Sequence, residues 1–228
     1  WLATVPPTAA IIGKRFGIRY LATLFGLTLL SHQIGGFLGA WLGVTTGIAA
    51  LMSGGIGMVV FLAGAFGFMF AIEKTKDSTA GVPVLLAFTF FMGLMLSRLI
   101  GSVLGLANGA GLIMTAFAGT GAIFLGMASL SSIIKRDLSA MGKFLFVGVI
   151  MLLVAGIANF FIQSSALMMT LSVLSIGIFS AFILYDLKRV QDGEETNAIT
   201  ATLGVYLSLF NVFQSLLTLF GIFGGRED

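Results

Sequence analysis

The chain has 228 residues, of which 58% are hydrophobic and 9% charged, with a formal net charge of +3; a water-soluble domain carries roughly 25% charged residues, so this chain cannot cover itself in water. Cys is absent and His32 is the single His, which excludes disulfides, thiolate nucleophiles and the usual Cys- and His-based metal centres. The sequence pI near 9.5 comes from charges lying between apolar runs, which points to membrane orientation rather than a nucleic-acid surface.

Apolar runs long enough to cross a hydrocarbon core of about 30 Å, which takes roughly 20 helical residues, recur along the whole chain. Taken between charge clusters, they predict spans near residues 18–42, 48–72, 82–106, 110–134, 144–163, 166–186 and 202–223. The predicted fold is therefore an all-α membrane protein of about seven transmembrane helices, with six or eight as the alternatives. The breaks at residues 43–47 and 163–165 are expected to be tight hairpins. No stretch is left over for a soluble domain. The chain opens at Trp1 without Met or a cleavable signal pattern, which implies a truncated or non-native N-terminus.

Lys14, Arg15 and Arg19 precede the first predicted span. Lys74 and Lys76 follow the second, Lys135, Arg136 and Lys143 the fourth, and Lys188 and Arg189 the sixth. Segments 44–46, 106–109 and 163–165 carry no charge. By the positive-inside rule the N-terminus is expected in the cytoplasm, the loops at 75–78, 135–143 and 188–195 face the same side, and Asp228 lies outside. Gly35, Gly39, Gly43 and Gly47 recur at intervals of four, the spacing that lets two helix backbones approach in lipid, either within the bundle or at a dimer face.

Chemistry-bearing residues are few. A serine hydrolase would need a base at membrane depth, yet His32 is the one His and the Lys residues fall in the loops. An aspartyl site would need two facing carboxylates, and Asp186 has no second acid within a span. No catalytic residue, cofactor or metal ligand is assigned. Charges near or inside spans are functional candidates because hydrocarbon penalises them. Arg98 either snorkels to the outer headgroups or points into a cavity. Asp186 closes the sixth predicted span beside Lys188 and Arg189. Asp192, Glu194 and Glu195 make the following loop the most acidic one, a candidate interaction surface. Ser208, Asn211 and Gln214, spaced at three on the last span, form either interhelical hydrogen-bond glue or the lining of a wet path.

The stretch Ala116-x-x-x-Thr120-x-x-x-Phe124, together with Tyr185-Asp186, Gly193-Glu194-Glu195-Thr196-Asn197 and Tyr206-Leu207-Ser208-Leu209-Phe210-Asn211, resembles the bacterial Bax inhibitor family. The likeness runs over about residues 38–228, and its nearest branch resembles the modulator of the FtsH protease. It implies a seven-helix bundle with the C-terminal helix near the centre, set in the bacterial inner membrane. It further implies either control of a membrane-anchored AAA protease of the FtsH type, or a pH-sensitive leak for cations, with Ca2+ or H+ as the ion. Channel-like members of that family place a second Asp where this chain has Ser208, so the resemblance favours the protease-modulating branch, with Asp186 a structural latch rather than a proton switch. Residues 1–43 instead resemble a late helix of a major facilitator transporter, through Val5-Pro6-Pro7-Thr8, Phe16-Gly17 and Ser31-His32-Gln33. The two likenesses overlap at 39–43. That implies a join, with a transporter-like segment 1–43 supplying the first helix and a Bax-inhibitor domain at 44–228, and in the extreme a fusion without activity of its own.

Overall fold

The computed structural model describes residues 35–47, 54–78 and 80–224, and every element among them is helical. The predicted residues Lys14, Arg15, Arg19 and His32, most of the first predicted span, and the last four residues lie outside the described residues. A helix occupies 35–46 (α1). It is followed by α2 (Gly54–Thr75), α3 (Gly81–Leu104), α4 (Gly109–Ile133), α5 (Ser139–Ile162), α6 (Ser165–Gln191) and α7 (Ala198–Gly224). Helices α2 to α7 are each long and apolar enough to cross a membrane. This form follows from the solvent: in hydrocarbon every backbone N–H and C=O must be paired within its own segment, and a helix does so. The α7 helix buries the largest share of its apolar window, 39%, against 11% for each of α2, α4 and α5.

The chain divides into two compact units. Residues 1–101 with 193–206 form one, and residues 102–192 with 207–228 form the other. In the first, α1 packs on α3 through small residues. A side chain at Gly39 would meet the carbonyl oxygen of Phe90 and the Leu94 nitrogen, the latter at 3.0 Å; one at Gly43 would meet Ser97, and one at Gly35 would lie 2.7 Å from Thr89 Oγ1. From the other side, a side chain at Gly93 would run into the Gly36 carbonyl. The period-four glycines therefore serve packing within the chain at three of their four positions. The fourth, Gly47, ends the helix with φ of 73° and faces open space. Phe88 and Tyr206, both buried, meet edge to face at 6.2 Å, and Phe68 packs on Phe88 and Phe91.

In the second unit, α5 and α4 flank α6. Gly142 and Gly148 of α5 leave room for Tyr185 and Ile178, and the Ser215 hydroxyl of α7 donates to Ser175 Oγ of α6 at 2.9 Å. The α5–α6 hairpin turns within two residues. Gln163 adopts a left-handed conformation (φ 57°), and the Ser164 hydroxyl accepts the Leu167 N–H to begin α6. Asn159, buried at 3%, accepts the Ser164 N–H on its side chain at 3.1 Å and the Gln163 N–H on its carbonyl at 2.8 Å.

Three boundaries differ from the sequence expectation. Helix α1 runs on through residues 43–46, where the sequence predicts a break. The α6 helix continues to Gln191 rather than closing at Asp186, because Lys and Arg are good helix formers whose long stems let their charges reach the interface. Lys143 lies in the first turns of α5 rather than in a loop.

Candidate functional site

The charged end of α6 is assembled from its own last turns and from neighbours in the same unit. The hydroxyl end of Tyr185 packs against Gly142, where an added β-carbon would come 2.5 Å from Cζ and the hydroxyl oxygen, and Arg189 stacks over that ring at 5.5 Å. The stack spans one helical turn and uses the negative face of the aromatic. Lys188 pairs with Asp192, the C-cap residue, at 2.6 Å. A cation near a helix C-terminus also complements the helix dipole. Gln191 donates to Ser131 Oγ at 2.9 Å and so ties this end of α6 to the end of α4. Asp186 sits among these groups, half-buried and about one and a half turns before the helix ends. It is an interior residue of the helix, not its terminus.

The acidic loop is held mainly by its own chain and by the α2–α3 connection. Asn197 caps α7: its Oδ1 accepts the N–H groups of Ile199 at 3.0 Å and Thr200 at 3.2 Å. Its Nδ2 donates to Asp77 Oδ1 at 2.8 Å and to the Lys76 carbonyl at 3.3 Å. Glu195 accepts the Asn197 N–H at 2.9 Å. Lys76 pairs with Glu73 at 2.5 Å; that bond holds its ammonium above the ordinary lysine range against desolvation, and the charges of Glu73, Asp77 and Glu195 add to it. Of the three acids singled out in the loop, Asp192 pairs with Lys188 and Glu195 serves the α7 cap; Asp192 and Glu194 are exposed and Glu195 is half-buried.

The remaining sequence candidates are dispersed. Arg98 is exposed toward the far end of α3, the position from which a guanidinium snorkels to headgroups. Ser208 is buried at 3%. Asn211 is half-buried with its amide spent on the Leu207 carbonyl at 2.8 Å, and Gln214 is exposed. Successive steps of three residues rotate about 60° around a helix, so this stripe drifts across faces rather than lining one. Among the described residues no group of three His, Asp or Glu side chains gathers as a metal site would require.

The family model described as "Inhibitor of apoptosis-promoting Bax1" matches residues 17–225. The chain belongs to the Bax inhibitor family. A protein of Neisseria meningitidis serogroup B is 34% identical over 220 residues, 96% of both chains. A membrane protein of Vibrio cholerae is 36% identical over 190 residues, 81% of this chain and 85% of its own. The Escherichia coli K12 protein named modulator of FtsH protease, YccA, is 34% identical over 182 residues, 80% of this chain and 82% of its own; its counterpart in a second E. coli strain carries the name inner membrane protein. The family match takes in residues 17–43, the greater part of the segment assigned above to a transporter-like parent. As a Bax inhibitor family member with six described spanning helices, the chain is a multi-pass membrane protein.

Sequence reasoning missed Asn197, Gln191 and Asn159. For Asn197 a signal existed: an Asn directly before an apolar helical run is a helix-start residue. Gln191 and Asn159 carry no such mark, because their partners are set by tertiary approach.

Proposed function

We propose that this chain is a regulatory, non-enzymatic protein of the bacterial inner membrane that binds and restrains a membrane-anchored AAA protease of the FtsH type. The observation that carries the reading is the 34% identity to YccA over four fifths of both chains, since that relative is named for modulating FtsH. The organisation of the charged connections supports it. Those after α2, α4 and α6 are short and pinned by side-chain bonds such as Asn197–Asp77 and Gln191–Ser131, so they form fixed surfaces that a soluble AAA domain beneath the membrane can read. In this arrangement the N-terminus and these connections are cytoplasmic, Glu194 with Asp192 and Glu195 contributes the interaction surface, and Asp186 holds helix ends together.

The alternative, a pH-sensitive cation or calcium leak through Asp186, Ser208, Asn211 and Arg98, draws its support from the half-buried position of Asp186 inside α6. Detergent-solubilised chain should co-purify with a hexameric membrane-anchored AAA protease, and reconstituted chain should pass no cations between pH 6 and 8. Cation flux without protease binding reverses the assignment in favour of the leak.

A further inference from the structure

The three charged connections differ in balance. Segment 73–78 sets Lys74 and Lys76 against Glu73 and Asp77, and segment 186–195 sets two cations against four carboxylates. Segment 135–143 sets Lys135, Arg136 and Lys143 against Asp137 alone. That carboxylate is spoken for. It accepts the hydroxyl and the backbone N–H of Ser139, which hold it below the usual carboxylate range and turn it toward the start of α5. The three cations are exposed, and none forms an ion pair among the described residues.

The helix that carries Lys143 has an outward face. Val147, Met151 and Val154 follow Lys143 at i+4, i+8 and i+11, one stripe of a helix. All three are more than half exposed, whereas α5 buries only Gly142, Leu145 and Asn159. A cationic cluster at the end of an apolar stripe matches one ligand in both its parts: a phosphate-bearing headgroup and an acyl chain.

We propose that the α4–α5 connection with the outward face of α5 is a docking surface for an anionic diacyl phospholipid, its phosphate held by Lys135, Arg136 and Lys143 and one acyl chain lying along Val147, Met151 and Val154. A proton-neutral, zwitterionic lipid satisfies the stripe but leaves the excess positive charge uncompensated, so the surface discriminates by headgroup charge. Screening by salt weakens the contact, as for any exposed charge cluster.

Native mass spectrometry of the intact detergent-solubilised chain, titrated with phosphatidylglycerol or phosphatidylcholine, tests this. The parent should retain phosphatidylglycerol in preference. Lys143→Gln should weaken that retention roughly fivefold and the triple variant Lys135→Gln/Arg136→Gln/Lys143→Gln more than tenfold, with phosphatidylcholine retention unchanged. Lys74→Gln removes the same charge at another connection and should leave the preference intact. The proposal is overturned if the triple variant keeps the preference or if Lys74→Gln matches Lys143→Gln. Competition by soluble glycerol phosphate would overturn it too, since the site would then be a bare anion site. Loss of protease co-purification in the triple variant with lipid preference unchanged would identify a protein-binding face instead. Should the triple variant fail to fold, the comparison of the two single variants at exposed positions still decides.

Discussion

Gly39→Ala and Gly67→Ala are the same chemical change in two spanning helices, and the structure assigns them opposite signs. At Gly67 nothing lies within 4 Å of an added β-carbon, so the substitution should be neutral or stabilising by up to about 1 kcal/mol, the helix-propensity gain of Ala over Gly. At Gly39 the added carbon meets backbone on α3, the Phe90 carbonyl and the Leu94 nitrogen. Backbone cannot rotate aside as a side chain can, so α1 and α3 must move apart, and overpacking of this kind costs about 1–3 kcal/mol or more. Gly93→Ala, directed at the Gly36 carbonyl, should cost a similar amount. Because Gly39 and Gly93 act on one interface, the double variant should cost less than the sum of the two. Reversible unfolding in bicelles, followed by steric trapping, resolves a gap of about 1–4 kcal/mol between Gly39→Ala and Gly67→Ala. Equal stability of the two variants would refute the close approach of α1 to α3.

Asn197 separates capping from bridging. Asn197→Asp keeps an N-cap acceptor but sets a carboxylate against Asp77, whereas Asn197→Ala loses both functions; the Ala variant should lose about 2 kcal/mol, and the Asp variant should regain stability when combined with Asp77→Asn, measured by the same unfolding assay. Asp137 gives a pH dependence. Its folded-state carboxyl titrates lower than in the unfolded chain, so its contribution is complete above the ordinary carboxylate value near pH 4, and declines as the pH falls further through the folded value; denaturation midpoints measured downward from pH 6 should show a smaller component in Ser139→Ala, which removes the hydroxyl and keeps the backbone N–H. Cysteines introduced at positions 77 and 139, on a chain that has none, should react with an impermeant reagent only from the cytoplasmic face, and labelling from outside would invert the topology.

Hydropathy alone located the six described spans, because in lipid the length of an apolar helix is fixed by the bilayer and the signal is local. The glycine spacing on α1 was equally legible, since close approach requires a missing side chain at each contact. The ends were not. The first charges predict an end to α6 at Asp186, yet the helix runs on through Lys188 and Arg189 to Gln191; solvent polarity changes at the interface, whereas the hydrogen-bond ladder need not. The polar groups that pin the structure were the least legible. Asn197 meets Asp77 across 120 positions of sequence and Gln191 meets Ser131 across 60, and no local pattern encodes a partner at that separation. Asn159 carries no local mark in the sequence, yet it is buried and supplies the acceptor that turns the α5–α6 hairpin. Asp186 stands out in the sequence because a charge in a span is costly, and Ser208 because of its spacing with Asn211 and Gln214; Asp186 is half-buried and Ser208 buried.

The most direct test of the regulatory assignment is the rate at which a purified, membrane-anchored AAA protease of the FtsH type degrades a membrane-protein substrate in proteoliposomes, with and without this chain at equal stoichiometry. The account predicts slower degradation with the chain present, and partial relief by Glu194→Lys, which reverses the exposed charge of the α6–α7 connection. An unchanged rate in the presence of correctly inserted, folded chain would contradict it.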